Sequence, residues 1–355
     1  MKIKVAFLDL DASYLKRLVA ALGTRYLEQI EAYSFTDVDK ALQYLNASRI
    51  DVFVASDDFN LDLGAIPKRC GFAWFVNSPD VERQGGFPAI CKYQKIELIY
   101  RQILGVYAEI APDVSRFTRK DGSSSVILFS SPAGGVGTSS LAAAAAVHFA
   151  SVGKRCLYLD LEPYGTPDVF FSGAGQANMS DVIFALKSGK TNLSLKIESC
   201  VRQDASGVWF YSKPKIALDI MELRQEEIIH LLQELQRSGR YDYIIADMAF
   251  GIDEATRNVF RQAHVLVWVS DGGEIANAKV RSAYESLTIC EQGKDASLTD
   301  QICLAYNRFS SKTGKNLDDL PVKTIGGARR YENRSGRQVI IDLATTDMFD
   351  KIWDA

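Results

Sequence analysis

The 355-residue chain has no uninterrupted apolar stretch long enough to cross a bilayer as a helix, which takes about 20 residues. Its opening, MKIKVAFLDLDASYLK, puts acidic side chains where a signal peptide would carry its apolar run, so the expected location is cytoplasmic. An excess of either charge is also missing. Lys and Arg number 41 against 44 Asp and Glu, and a formal charge of −3 gives no global basic field for nucleic acid or an anionic membrane. Cysteine is sparse: Cys70, Cys91, Cys156, Cys200, Cys290 and Cys303 form no CxxC pair and are expected as buried free thiols. Only His148, His230 and His264 occur, none at ligand spacing from another His or Cys. His148 lies in an alanine-rich helix and His264 opens an apolar run, so both are expected to pack. Zinc chemistry and Ser/His catalysis find no support here, and neither zinc nor flavin is expected.

What is present is alternation. KIKVAFLDL, IEAYSF, DVFVAS, FAWFV and PAICK read as strands, and ASYLKRLVAAL, DVDKALQYLNA and KIELIYRQILGVYAEI as helices between and after them. Strands separated by helices imply parallel βαβ units, so residues 1–110 are expected to form one doubly wound α/β domain. Residues 111–125, APDVSRFTRKDGSSS, are polar and lack apolar periodicity, and read as a linker. A second α/β domain, 126–355, follows with VILFSS, RCLYLDL, GVWFYS, YDYIIADM, HVLVWVS and ICLAYN as strands. Their near-continuous apolar character suits a sheet buried on both faces.

Acidic residues Asp9 and Asp11 follow the first strand, Ser56, Asp57 and Asp58 the third, and Lys92 the last strand of the first domain. In that order they resemble a two-component receiver domain, with a flavodoxin-like fold. The resemblance implies an Mg²⁺-binding acidic pair and an aspartate that accepts phosphate. Ser56 stands at the acceptor position and cannot be phosphorylated as an aspartate. Asp57 is one residue out of register. The expectation is a receiver fold without phosphotransfer, used for interaction or dimerisation.

In the second domain, VILFSSPAGGVGTSSLAAAA has a strand, a glycine-rich turn and a helix in the order that makes a phosphate-binding loop credible. Gly134, Gly135 and Gly137 allow backbone N–H groups to approach phosphates, and the helix beginning near Thr138 adds its positive end. Asp160, with Glu162 just beyond, and Asp247 close apolar strands, positions suited to Mg²⁺ or its waters, and Asn307 ends another strand.

Together these features resemble the ParA/MinD group of P-loop ATPases over roughly residues 124–345. The resemblance aligns Ala133 with the signature lysine and Thr138 with the P-loop lysine of KGGxGK[ST]. It assigns nucleotide contacts to Gly134, Gly135, Val136, Gly137, Thr138, Ser139, Ser140, Asn307 and Arg308, with Asn307 on adenine. It assigns Mg²⁺ to Ser139, Asp160 and Asp247, partly through water, and orientation of the attacking water to Glu162. Both lysines are absent. A hydrogen bond to a charged group contributes about 1.5–3 kcal/mol, so losing the P-loop lysine weakens binding roughly ten- to hundredfold. The expected cofactor is weakly bound ATP or ADP with Mg²⁺, and hydrolysis is expected to be slow or absent.

A degenerate receiver followed by a ParA/MinD-like domain resembles the TadZ/CpaE group of pilus-assembly proteins. That resemblance implies a localisation or scaffold factor for Tad/Flp (type IV) pili, at the cell pole or peripheral to the membrane through partners. It also implies a homodimer that recruits secretion-system proteins. The alternative is an active ParA-type ATPase with nonspecific DNA binding, although DNA is not the expected partner. That alternative would use the basic stretch holding Lys323, Arg329, Arg330, Arg334 and Arg337, otherwise read as a solvated face or groups near the nucleotide. The tail residues Met348, Phe349, Ile352 and Trp353 lie among acidic residues and are expected to dock on the domain or a partner, not to anchor in lipid.

Overall fold

The expected alternation builds two compact units in the computed structural model, which describes residues 2–111, 124–189, 192–293 and 297–354. Most of the expected linker, residues 112–123, lies outside the described residues. The first unit holds the described residues of Met1–Ser115 with Gly175–Ala177 and Ser188–Cys200; the second holds the rest.

The first unit runs β1 (Ile3–Leu8), α1 (Ala12–Arg25), β2 (Ile30–Phe35), α2 (Val38–Ala47), β3 (Val52–Ser56), β4 (Gly71–Val76), β5 (Arg83–Gln84), β6 (Phe87–Cys91) and α3 (Ile96–Ile110). The sheet order is β2-β1-β3-β4-β6-β5, parallel except for the short β5–β6 pair. Without β5 this is the flavodoxin-like order, whose ligand positions lie beyond the carboxyl ends of the strands. Asp11 and Asp37 cap α1 and α2, their side chains accepting from Tyr14 N and Lys40 N.

The second unit begins with β7 (Ser125–Ser130), α4 (Thr138–Ser151), β8 (Cys156–Asp160), α5 (Pro167–Phe170) and α6 (Met179–Ser188). The next helix, α7 (Leu193–Cys200), belongs to the first unit, where it packs on α3. Leu195, Ile197 and Cys200 are buried there, and Tyr100 Oη donates to Glu198 Oε1 at 3.2 Å. The chain then returns through β9 (Arg202–Gln203), β10 (Trp209–Phe210), α8 (Ala217–Met221), α9 (Gln225–Arg237), β11 (Tyr243–Asp247) and α10 (Glu254–Phe260). It ends with β12 (Val265–Ser270), α11 (Glu274–Glu291), β13 (Ile302–Phe309), β14 (Lys323–Arg329), α12 (Gly336–Ala344) and a 3-10 segment, Asp347–Asp354. The sheet order is β14-β13-β12-β7-β11-β8-β10-β9, parallel except for β9 against β10. After β7 the chain builds one side of the sheet, and after β11 it crosses to the other. The carboxyl end of β7 is therefore the topological switch point where α/β ligands bind.

Helix α4 explains its own sequence. Leu141 through Phe149 are all buried, so the helix needs no polar face. It lies on the sheet and is covered by α12 and the 3-10 tail. His148 packs as expected, its Nδ1 2.9 Å from Ala344 O and its Nε2 2.8 Å from Asp350 Oδ1. Met348, Phe349 and Ile352 are buried in the same core, and Trp353 stacks on Tyr243, so the tail docks on its own unit. Of the six cysteines only Cys290 is exposed.

Phe349→Ala is expected to cost about 3–5 kcal/mol, because the closed core around α4 cannot refill the space. Urea unfolding followed by circular dichroism measures it. A loss below about 1 kcal/mol would show that the tail is not part of this core.

Candidate functional sites

In the first unit the acidic residues beyond the strand ends face a lysine of their own chain. Lys92 Nζ lies 2.8 Å from Asp9 Oδ2, 2.8 Å from Ser56 Oγ and 3.4 Å from Asp58 Oδ2. Asp9, Ser56 and Lys92 are all buried. Burial works against the charge on Lys92, but Asp9 and Asp58 outweigh it and hold the ammonium above its ordinary pKa. Asp58, not Asp57, turns back to the site: Ser56 Oγ donates to its Oδ2 at 2.7 Å, and this bond and Lys92 lower its pKa. Asp11 is engaged as the α1 cap, and Asp9 Oδ1 accepts from Asp11 N at 2.8 Å. The receiver chemistry thus lacks an acceptor carboxylate at Ser56, and its acidic pair is already paired internally.

In the second unit the glycine-rich turn is held from both sides. Ser131 Oγ donates to Val269 O at 2.6 Å and accepts from Ala133 N at 3.0 Å, fixing the start of the loop to the end of β12. Asn307, at the end of β13, donates Nδ2 to Val136 O at 3.0 Å and to Gly137 O at 3.1 Å. Arg308 donates Nη1 to Gly135 O at 2.6 Å. Gly135 and Gly137 adopt φ of +81° and +86°, in the left-handed region that favours glycine. At Gly137 a Cβ would also collide with Asn307 Nδ2. The carbonyls of the turn are therefore bonded to β13 and Arg308. Among the described residues no acceptor pairs with the amides of Gly134, Gly135, Val136 or Gly137. The first-turn amides of α4 add to these. This is a backbone cradle for an anion. Ala133 is buried, and Thr138 stands half-buried where α4 begins. Lys154 is no substitute, since it lies beyond the other end of α4, roughly 20 Å along a 14-residue helix.

Asp160 and Asp247 are paired in register on neighbouring parallel strands, next to the cradle. Asp247 is completely buried; Tyr158 Oη donates to its Oδ2 at 3.0 Å, while Oδ1 has no partner among the described residues. Burial first, and then Glu162, raise the pKa of Asp247 to about 7, against the lowering influence of Ser139 and Tyr158. Burial and Asp247 raise Asp160 to about 8, although Glu162 N donates to its Oδ1 at 3.0 Å. Burial also raises Glu162. No basic side chain is among the groups that set these values. A divalent cation would supply the missing charge. Among the described residues no three His, Cys, Asp or Glu side chains form a metal cage. The set of Ser139, Asp160 and Asp247, with its unpartnered buried oxygen, fits a cation that keeps waters and phosphate oxygens as ligands, as Mg²⁺ does.

The stretch read as a basic surface is partly structural. Lys323–Arg329 form edge strand β14, and Ser335 caps α12. Arg337 binds the buried Asp204 through both nitrogens, at 2.8 and 3.1 Å, and Arg334 Nε lies 3.6 Å from Asp342. Arg330, Tyr331 and Arg334 line a cavity of about 260 Å³ with Ser140, Asn307 and Arg308. Tyr158 and the role of Asp58 were missed in the sequence. Alternation along β8 places Tyr158 on the same face as Asp160, which was a usable signal. The return of Asp58 depends on the turn after β3, which no periodicity encodes.

Residues 1–108 match the family described as TadZ-like, receiver domain. No curated protein matches the chain. A ParA family ATPase from Chlorobium tepidum TLS is similar over 66% of this chain and 98% of its own, with a TM-score of 0.51 and 20% identity. A putative plasmid partition protein from Borrelia burgdorferi, bound to AMPPNP, is similar over 65% and 96%, with a TM-score of 0.47 and 14% identity. The MinC:MinD cell division complex of Aquifex aeolicus is similar over 62% and 94%, with a TM-score of 0.42 and 18% identity. The chain thus joins a receiver fold to a ParA-like fold. The family match covers the first unit, and the structural likeness covers the second.

Two outcomes follow from these sites. Acetyl phosphate is expected to leave the protein unlabelled in mass spectrometry; a stoichiometric phosphoryl adduct would contradict the absence of an acceptor carboxylate at Ser56. The raised carboxylates bind protons more tightly in the folded state. Their contribution to stability is full below the unfolded pKa near 4 and declines as pH rises through about 7–8. Asp247→Asn should therefore gain stability relative to wild type as pH rises. Parallel urea midpoints for the two proteins across that range would refute the assignment.

Proposed function

We propose that this chain is a localisation and scaffold factor for assembly of Tad/Flp pili. Its P-loop site retains the backbone cradle, binds nucleotide weakly and hydrolyses it slowly or not at all. The observation that carries the reading is the cradle itself. Its amides are unpaired among the described residues and its carbonyls are bonded, yet Ala133 and Thr138 occupy the two lysine positions.

Ser139, Asp247 and Asp160 would hold the Mg²⁺, which neutralises phosphate charge when bound. The loop amides bind and orient the phosphates, and α4 presents its positive end to them. Glu162, whose pKa burial raises, would orient water there. Without a lysine on the transferred phosphoryl group, positioning alone leaves the transition-state charge uncompensated. Nucleotide then acts as a structural or switching ligand, and the product of the protein is an assembly. The receiver-like unit, without an acceptor aspartate, serves interaction and dimerisation. Partners hold the protein at the pole or the inner face of the membrane.

The exposed Arg329 and Arg330 favour a second reading, a ParA-type ATPase that binds DNA nonspecifically. The two separate cleanly. The scaffold reading expects a dimer in sedimentation, capture of pilus-system proteins, and phosphate release indistinguishable from that of Glu162→Ala. Rapid turnover abolished by Glu162→Ala, with low-salt DNA binding abolished by charge reversal at Arg329 and Arg330, would replace it with the second reading.

A further inference from the structure

The cavity at the carboxyl end of β13 has a lining that the loop motif does not account for. Arg308, Arg330 and Arg334 converge on it, and no carboxylate is among its lining residues. Arg308 is held there by its bond to Gly135 O and adopts φ +56°, an uncommon conformation for a side-chain-bearing residue. Among the described residues Arg330 makes no ion pair, and Arg334 has only the 3.6 Å approach to Asp342. Three cations round one cavity, approached among the described residues only by Asp342 at 3.6 Å from Arg334, repel one another, and an anionic ligand relieves that repulsion. Tyr331 and Val339 add aromatic and apolar wall. At about 260 Å³ the cavity is near the lower end of ligand pockets, roughly 300 Å³.

Its position decides what it reads. In a P-loop the amides cradle the α- and β-phosphates, while the lysine reaches the β- and γ-phosphates. Thr138 removes the cation from the γ end. Ser140, about 200° round α4 from Thr138, lines the arginine cavity, which therefore lies on a different face of the helix from Thr138. We infer that the positive charge absent from the loop is supplied instead by Arg308, Arg330 and Arg334, on the α-phosphate and nucleoside side. The site then takes nucleoside diphosphates and triphosphates alike. A γ-phosphate brings charge to a place with no cation of the loop to meet it. Arginine suits the other end, pairing with phosphate through two nitrogens and stacking on a base. The inference rests on the nucleotide-binding reading above and makes site occupancy, not the hydrolysis state, the signal.

Calorimetric titration of the full chain with ADP and with AMPPNP, in one Mg²⁺ buffer, tests it. The expected dissociation constants agree within about threefold. Arg330→Gln with Arg334→Gln should weaken both ligands about ten- to hundredfold, the effect of removing charge-assisted hydrogen bonds. The melting temperature of the free variant should be no lower than that of wild type, since both side chains are exposed and their removal relieves repulsion. AMPPNP binding tenfold tighter than ADP, or a double variant that binds as well as wild type, overturns the inference and leaves the nucleotide-binding reading in place. Binding of neither ligand to wild type overturns both.

Discussion

Burial of α4 on every side is the constraint on which the second unit depends. A helix with nine consecutive buried residues cannot shift or rotate without exposing apolar surface, so its amino end is fixed against the carboxyl end of β7. Alanine lets the sheet beneath and α12 above approach closely. The cradle consequently owes its shape to packing and to the Asn307 and Arg308 bonds, not to the charges that usually accompany it. Such a loop holds its geometry with Ala133 and Thr138 at its two ends and no lysine within it.

The first unit shows a similar separation of form from reaction. A receiver fold needs its acidic strand ends neutralised, and a divalent cation ordinarily does part of that. Here Lys92 neutralises Asp9 and Asp58 from within, and Ser56 hydrogen-bonds to both Lys92 and Asp58. The two units treat their strand-end carboxylates in opposite ways. One has filled its acidic site with its own cation, whereas the carboxylates of the other stand without one.

Much of the architecture was legible, because the parallel strands are continuous apolar runs and the helices between them are amphipathic or, in α4, wholly apolar. Legibility failed where structure depends on partners distant in sequence. β14 looked like a basic surface run, because its pairing with β13 compensates for two glycines and flanking charges that argue against a strand. Strands β5 and β9 have two residues each, too few to carry a period. At the candidate sites, the glycines and strand-end carboxylates could be placed by order along the chain. The convergence of Arg330 and Arg334 with Ser140 could not, since it requires knowing that α12 returns over α4.

Helix α7 has a consequence for how the molecule can be divided. It lies between α6 and β9 of the second unit in sequence, but it covers Tyr100 and its neighbours on α3 in the first. The first compact unit is therefore discontinuous in sequence, adding α7 to the receiver after the chain has passed through part of the second. A fragment ending near residue 110 would leave the α3 surface bare, and the complementary fragment would carry an orphan amphipathic helix. Nascent chain emerging from the ribosome faces the same difficulty. The amino-terminal unit, although synthesised first, gains the cover of α7 only when some ninety further residues have been added.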